Sequence, residues 1–132
     1  MGRKDDASGG VGDWALSNGT LCAVVADPAH ESDLAPFGGG LVDLGHCGRG
    51  DDQLVLVQPL ANLDRRGAVR AESVDATTSD TQAQIGMRGT LFGCEVETVY
   101  RLDREDPARL RITTRAVRRE AGDRFFALGD VA

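Results

Sequence analysis

Gln82-Ala-Gln-Ile-Gly-Met-Arg88, Cys94-Glu-Val-Glu-Thr-Val-Tyr-Arg-Leu102 and Leu110-Arg-Ile-Thr-Thr-Arg-Ala116 decide the fold class. In the first, Ala83, Ile85 and Met87 alternate with Gln82, Gln84 and Arg88. In the second, Cys94, Val96, Thr98, Tyr100 and Leu102 alternate with Glu95, Glu97 and Arg101. In the third, Leu110, Ile112, Thr114 and Ala116 alternate with arginines and Thr113. A period of two puts one set of side chains on a core and the other in water, which is the signature of a half-buried strand. The turn-rich stretches 89–93 and 103–107 separate the runs, so the three form a meander. Glu95 and Glu97 would face Arg111 and Arg115 across the last pair, and opposed charges of this kind help fix register.

Working toward the N-terminus, Asn18-Gly19 lies between two apolar runs, Asp13-Trp-Ala-Leu-Ser17 and Thr20-Leu-Cys-Ala-Val-Val-Ala26. Asn-Gly suits a hairpin turn with φ > 0 at both central positions. Strands are expected near 13–17 and 20–26. Residues 27–37, with two prolines, read as a loop. Gly38-Gly39-Gly40 reads as a tight turn into a strand near 40–45, and 46–52 as another turn. Leu54-Val-Leu-Val57 suits a strand buried on both faces, with Pro59 ending it or sitting at an edge. Nothing shows a capped helical period; 65–71 and 117–121 hold a turn of helix at most. Residues 1–11 are polar and glycine-rich and are expected to be a disordered leader. The expected fold is all-β, an antiparallel β-sandwich of the supersandwich type spanning 12–132 as one domain. The apolar, strand-like ending Phe125-Phe-Ala-Leu-Gly-Asp-Val-Ala132 predicts a partial domain cut from a longer chain, or else a last strand docked centrally.

Composition narrows the function. Of 132 residues 17 are Gly, aromatics make up 5% and the net charge is −6. The core must rest on aliphatic residues. The acidic balance opposes nucleic acid, which selects a basic face, and anionic membranes. The start Met1-Gly-Arg-Lys-Asp-Asp6 has no apolar run after it and is not a signal peptide. A cytoplasmic location follows if Met1 is the true start, an exported one if an upstream segment is missing. Cys22, Cys47 and Cys94 are odd in number and widely spaced, so no disulfide framework is implied, and whether two of them pair stays open.

The densest polar chemistry lies in Gly38–Asp52. Asp43, His46 and Cys47, with Asp51 and Asp52, are the metal-ligand candidates, because carboxylate, imidazole and thiolate all bind metals. Their spacing matches no zinc motif, and turn geometry accounts for them better. A Cys–His nucleophile pair is disfavoured, since His46 and Cys47 are adjacent and point to opposite faces of a strand; nothing supports His30 reaching Cys47. The three glycines lack the Lys-Ser/Thr of a P-loop. Trp14, His46 and Tyr100 are the ligand-binding candidates, as groups that would stack on or hydrogen-bond a sugar; the competing account is core-edge packing. Glu95 and Glu97 read better as solvated ion pairs than as a glycosidase pair. No cofactor is expected.

The pattern Gly12-Asp-Trp-Ala-Leu-Ser-Asn-Gly-Thr-Leu-Cys-Ala-Val-Val-Ala26, then Gly38-Gly-Gly-Leu-Val-Asp-Leu44, resembles the N-terminal β-sandwich region of bacterial metallohydrolases of the CehA/McbA type. Those enzymes carry a polymerase-and-histidinol-phosphatase (PHP) domain further on. Val99-Tyr-Arg-Leu102, Leu110-Arg-Ile-Thr-Thr114 and Leu128-Gly-Asp130 are similar to its continuation, and the whole is more distantly similar to galactose-mutarotase-like sandwiches. The His-x-His of a PHP domain does not occur here. The resemblance therefore implies a non-catalytic accessory module whose partner is a catalytic domain downstream in the same protein. The alternatives are a carbohydrate-binding or mutarotase-like sandwich and a free-standing binding domain that self-associates through a strand edge.

Overall fold

The computed structural model describes residues 12–29, 38–49, 57–61, 68–118 and 128–131. Nine strands account for the regular structure among them: β1 (Trp14–Ser17), β2 (Leu21–Val25), β3 (Leu41–His46), β4 (Gln58–Ala61), β5 (Arg70–Thr78), β6 (Gln82–Leu91), β7 (Cys94–Asp103), β8 (Leu110–Arg118) and β9 (Leu128–Val131). All pairings are antiparallel. They form a three-stranded sheet β1-β2-β3, a four-stranded sheet β5-β6-β7-β8 and the pair β4-β9. The chain is an antiparallel β-sandwich, as its alternation predicts.

The two larger sheets meet through the side chains that the period of two assigns inward. Leu16, Leu21, Ala23, Val25 and Leu41 come from one sheet, and Ala83, Ile85, Met87, Tyr100 and Leu102 from the other. Each fully buried Leu, Ile, Val or Met side chain stabilises the fold by about 1.5–3 kcal/mol relative to exposure. The register carries that alternation across the four-stranded sheet: Ala76, Ile85, Tyr100 and Ile112 form one inner row, and Ser73, Arg88, Glu97 and Arg115 one outer row.

Strand β5 is not legible in the sequence. Residues 65–71 read as a helical turn at most, yet Arg70 and Ala71 open a nine-residue strand. The reason is a register shift between Ala71 and Ser73, which breaks the phase of the alternation. Strand β6 also runs on to Leu91, so the turn expected over 89–93 shrinks to Phe92-Gly93. Val117 and Arg118 belong to β8 rather than to a helical turn. Val57 bridges Leu41 and leads into β4, where Pro59 lies within a two-stranded pair, a setting that tolerates a missing donor. The expected leader 1–11, residues 54–56 of the expected buried strand and residues 125–127 of the apolar ending lie outside the described residues. Leu128–Val131 is a strand paired with β4.

The turns depart instructively from the Asn-Gly reading. Between β1 and β2 only Gly19 has positive φ, 92°; the central pair is Gly19-Thr20, with Asn18 as the flanking residue. The turn with positive φ at both positions is instead Phe92-Gly93, at 50° and 75°. A bulky side chain there is unfavourable by about 1–2 kcal/mol, and Asn is the preferred residue. Phe92 is 47% exposed, so burial of its ring offsets that cost only in part. Phe92→Asn is therefore expected to raise stability by about 1 kcal/mol, read as a higher urea midpoint at unchanged slope.

The predicted charge match holds at one position. Glu97 faces Arg115, but Arg111 lies opposite Arg101 and Glu95 opposite Val117. The close ion pair of Glu97 is with Arg88 on β6, at 2.9 Å. The expected pairing is offset because the strands overlap from Cys94↔Arg118 to Leu102↔Leu110, a longer ladder than the alternation alone defines.

Candidate functional site

Tyr100 sits at the centre of β7 with 1% of its surface exposed. Its hydroxyl donates a 2.8 Å hydrogen bond to the carbonyl of Gly39. Gly39 has φ 95°, and a Cβ there would overlap that of Ala71, so only glycine brings this carbonyl so close to the sheet. The tyrosine thus ties the segment entering β3 to the four-stranded sheet, with its polar end satisfied inside the core.

Trp14 opens β1. Its ring packs against the main core and its indole N–H donates to Asp27 Oδ1 at 2.9 Å. The same loop is held by Asp13 Oδ1, which accepts the Asp27 N–H at 3.0 Å. Trp14 pairs with Val25, whereas His46, exposed at the end of β3, pairs with Leu21. The strand from Leu21 to Val25 separates the two by about 13 Å. Trp14, His46 and Tyr100 do not line one groove.

The metal candidates also part company. Asp43 is buried within β3 opposite Val24. Cys47 is bonded to Cys22, with Cα atoms 5.1 Å apart, so it offers no thiolate. Ser17 Oγ lies 3.4 Å from the Cys47 sulfur and donates to it. Among the described residues no group of three His, Cys, Asp or Glu side chains is placed to hold a metal ion. His30, Asp51 and Asp52 lie outside the described residues. The sequence leaves the cysteine pairing open because Cys22 and Cys47 are 25 residues apart; the β2–β3 register, Cys22 opposite Gly45, is what brings them together.

Two features carry more organisation than the sequence suggests. Asn18 is 8% exposed and uses its whole amide. Its Oδ1 accepts from the N–H groups of Thr20 and Leu21, and its Nδ2 donates to the carbonyls of Asp103 and Pro107, each at 3.0 Å. A turn residue of one sheet thereby clamps the β7–β8 connection of the other. The second feature is an open groove of about 360 Å³ on the outer face of the four-stranded sheet. Glu72 from β5, Arg88 from β6, Glu95 and Glu97 from β7 and Arg115 from β8 supply its charges. Its signal in the sequence is the run of Arg and Glu at outward positions. Chemically it offers alternating charges, with the hydroxyls of Ser73 and Thr90 among them. Family models, characterised proteins and solved structures were all compared with the chain, and none matches it.

Proposed function

We propose that the chain is a non-catalytic β-sandwich module serving a larger bacterial hydrolase whose chemistry resides in a downstream domain. One observation carries the non-catalytic part: the side chains best suited to chemistry are spent on structure. Tyr100 and Trp14 donate to Gly39 and Asp27, Asn18 closes a turn, and Cys47 is locked to Cys22. Such fully satisfied polar groups rigidify a fold rather than activate a substrate. The link to a hydrolase rests on the resemblance of residues 12–44 to the CehA/McbA-type sandwich region. The Cys22–Cys47 bond favours an oxidising compartment, because cytosolic thiols are kept reduced. The dispersed positions of Trp14, His46 and Tyr100 lend a sugar site no support.

The test is the reading frame beyond the codon for Ala132. It is expected to continue into a domain containing a His-x-His metal motif. Deleting residues 12–132 from that whole protein should then reduce its yield or solubility while leaving the metal site able to bind zinc. A stop codon directly after Ala132 would overturn the accessory reading.

A further inference from the structure

Strands β5 and β8 are the two edges of the four-stranded sheet among the described residues, and they carry opposite charge. From Leu110 to Arg118, β8 has Arg111, Arg115 and Arg118 and no acid, in a chain whose net charge is −6. Along β5 stand Glu72 and Asp75, with Arg70 at its start. The arginines of β8 are exposed, and so are Glu72 and Asp75. The inner faces of the same edges are apolar and only half covered: Val74 and Ala76 on β5, Leu110 and Ile112 on β8.

We propose that the chain assembles with copies of itself head to tail, β8 of one copy pairing with β5 of the next. Strand directions allow it, since β5, β6, β7 and β8 alternate and a following β5 would again run antiparallel to β8. Register favours it. Extending the existing rows places the next copy's Val74 beside Thr114 and its Ala76 beside Ile112, so the half-covered apolar faces become continuous. The same register sets the next copy's Asp75 opposite Thr113, diagonally between Arg111 and Arg115, within reach of long side chains. Glu72, at the bulge, falls near Arg115, and Arg70 falls opposite uncharged Val117. Asp75 lies back over Gly86 in the single chain, so the pairing calls for a change of its χ1 rotamer.

The charges also disfavour symmetric pairings centred on the charged stretches: β8 with a second β8 about Thr113 brings Arg111 against Arg115, and β5 with a second β5 about Asp75 sets the two Asp75 side chains opposite each other. Charged edges that merely block association would serve equally well with one sign on both; here the signs are complementary. A head-to-tail contact does not stop at two copies but grows into a ring or an open chain.

The whole 132-residue chain, followed by sedimentation velocity across concentration, should form species larger than dimers at low salt. The series should collapse toward monomer near 1 M salt, where the screening length falls to about 3 Å. This arm needs no variant. The double change Arg111→Glu with Arg115→Glu, and separately Glu72→Lys with Asp75→Lys, should each weaken self-association about tenfold. Mixing the two variants should restore it, because each then presents the edge the other lacks. Circular dichroism should show wild-type strand content in both variants. A wild-type monomer at every concentration, growth that halts at a dimer, assembly indifferent to salt, or a mixture that stays monomeric would each overturn the proposal. None of these outcomes bears on the downstream reading frame, so the accessory role stands or falls separately.

Discussion

Cys22→Ser is expected to lower the free energy of unfolding by about 3–4 kcal/mol. The bond joins residues 25 apart, from the start of β2 to the turn that follows β3. Its main effect is on the unfolded chain, where it removes the entropy of an open loop of that length. For a domain of this size such a loss corresponds to roughly 10–15 °C in Tm. The wild type melted in a reductant should show the same fall, and the double change Cys22→Ser with Cys47→Ser should melt identically with and without reductant. Cys94 supplies an internal control: it is free and buried, and should resist thiol reagents until the protein unfolds. A wild type whose melting ignores reductant would refute the staple and remove the support for an oxidising compartment.

The bridge also illustrates where the sequence is legible. Alternation over 82–116 is enough to find β6, β7 and β8, because those strands are long, unbulged and covered on one face only. A local period needs no knowledge of what lies opposite. Strand β5 fails that test, since its bulge after Ala71 shifts the phase within a single strand. The structural roles of the site candidates are hidden for a different reason. Tyr100 reads as a ligand-stacking group in isolation, but only the approach of the Gly39 carbonyl reveals what its hydroxyl does. Cys47 reads as a thiolate until the β2–β3 register places it beside Cys22. Partners distant in sequence leave no local trace, and the structural uses of Tyr100, Trp14 and Cys47 are all of that kind.

Asn18 is the position where such long-range use has the largest consequence, and Asn18→Asp at neutral pH is expected to destabilise the fold by about 3–4 kcal/mol. The substitution replaces the amide nitrogen by oxygen and keeps the shape. The two bonds accepted from Thr20 and Leu21 survive, so the turn itself should still form. The amide nitrogen, however, donates to the carbonyls of Asp103 and Pro107, 85 and 89 residues away. A carboxylate oxygen in its place would confront both carbonyls with no proton between them, in a position 8% exposed. Those facing dipoles disfavour the charged form, so the introduced carboxyl should titrate above its unfolded value. The sign of the pH dependence follows. A folded pKa above the unfolded one gives a contribution fully present below the unfolded pKa and lost as pH rises through the folded one. The variant should therefore regain stability relative to wild type on acidification toward about pH 4, where the neutral acid can donate one of the two lost bonds. Asn18→Ala, which carries no charge, should show a smaller loss at neutral pH and no such recovery. Chemical denaturation of both variants at neutral pH and near pH 4 separates these outcomes. A clear loss in Asn18→Ala with little or none in Asn18→Asp, at both pH values, would mean that the turn, rather than the clamp between the sheets, is what Asn18 contributes.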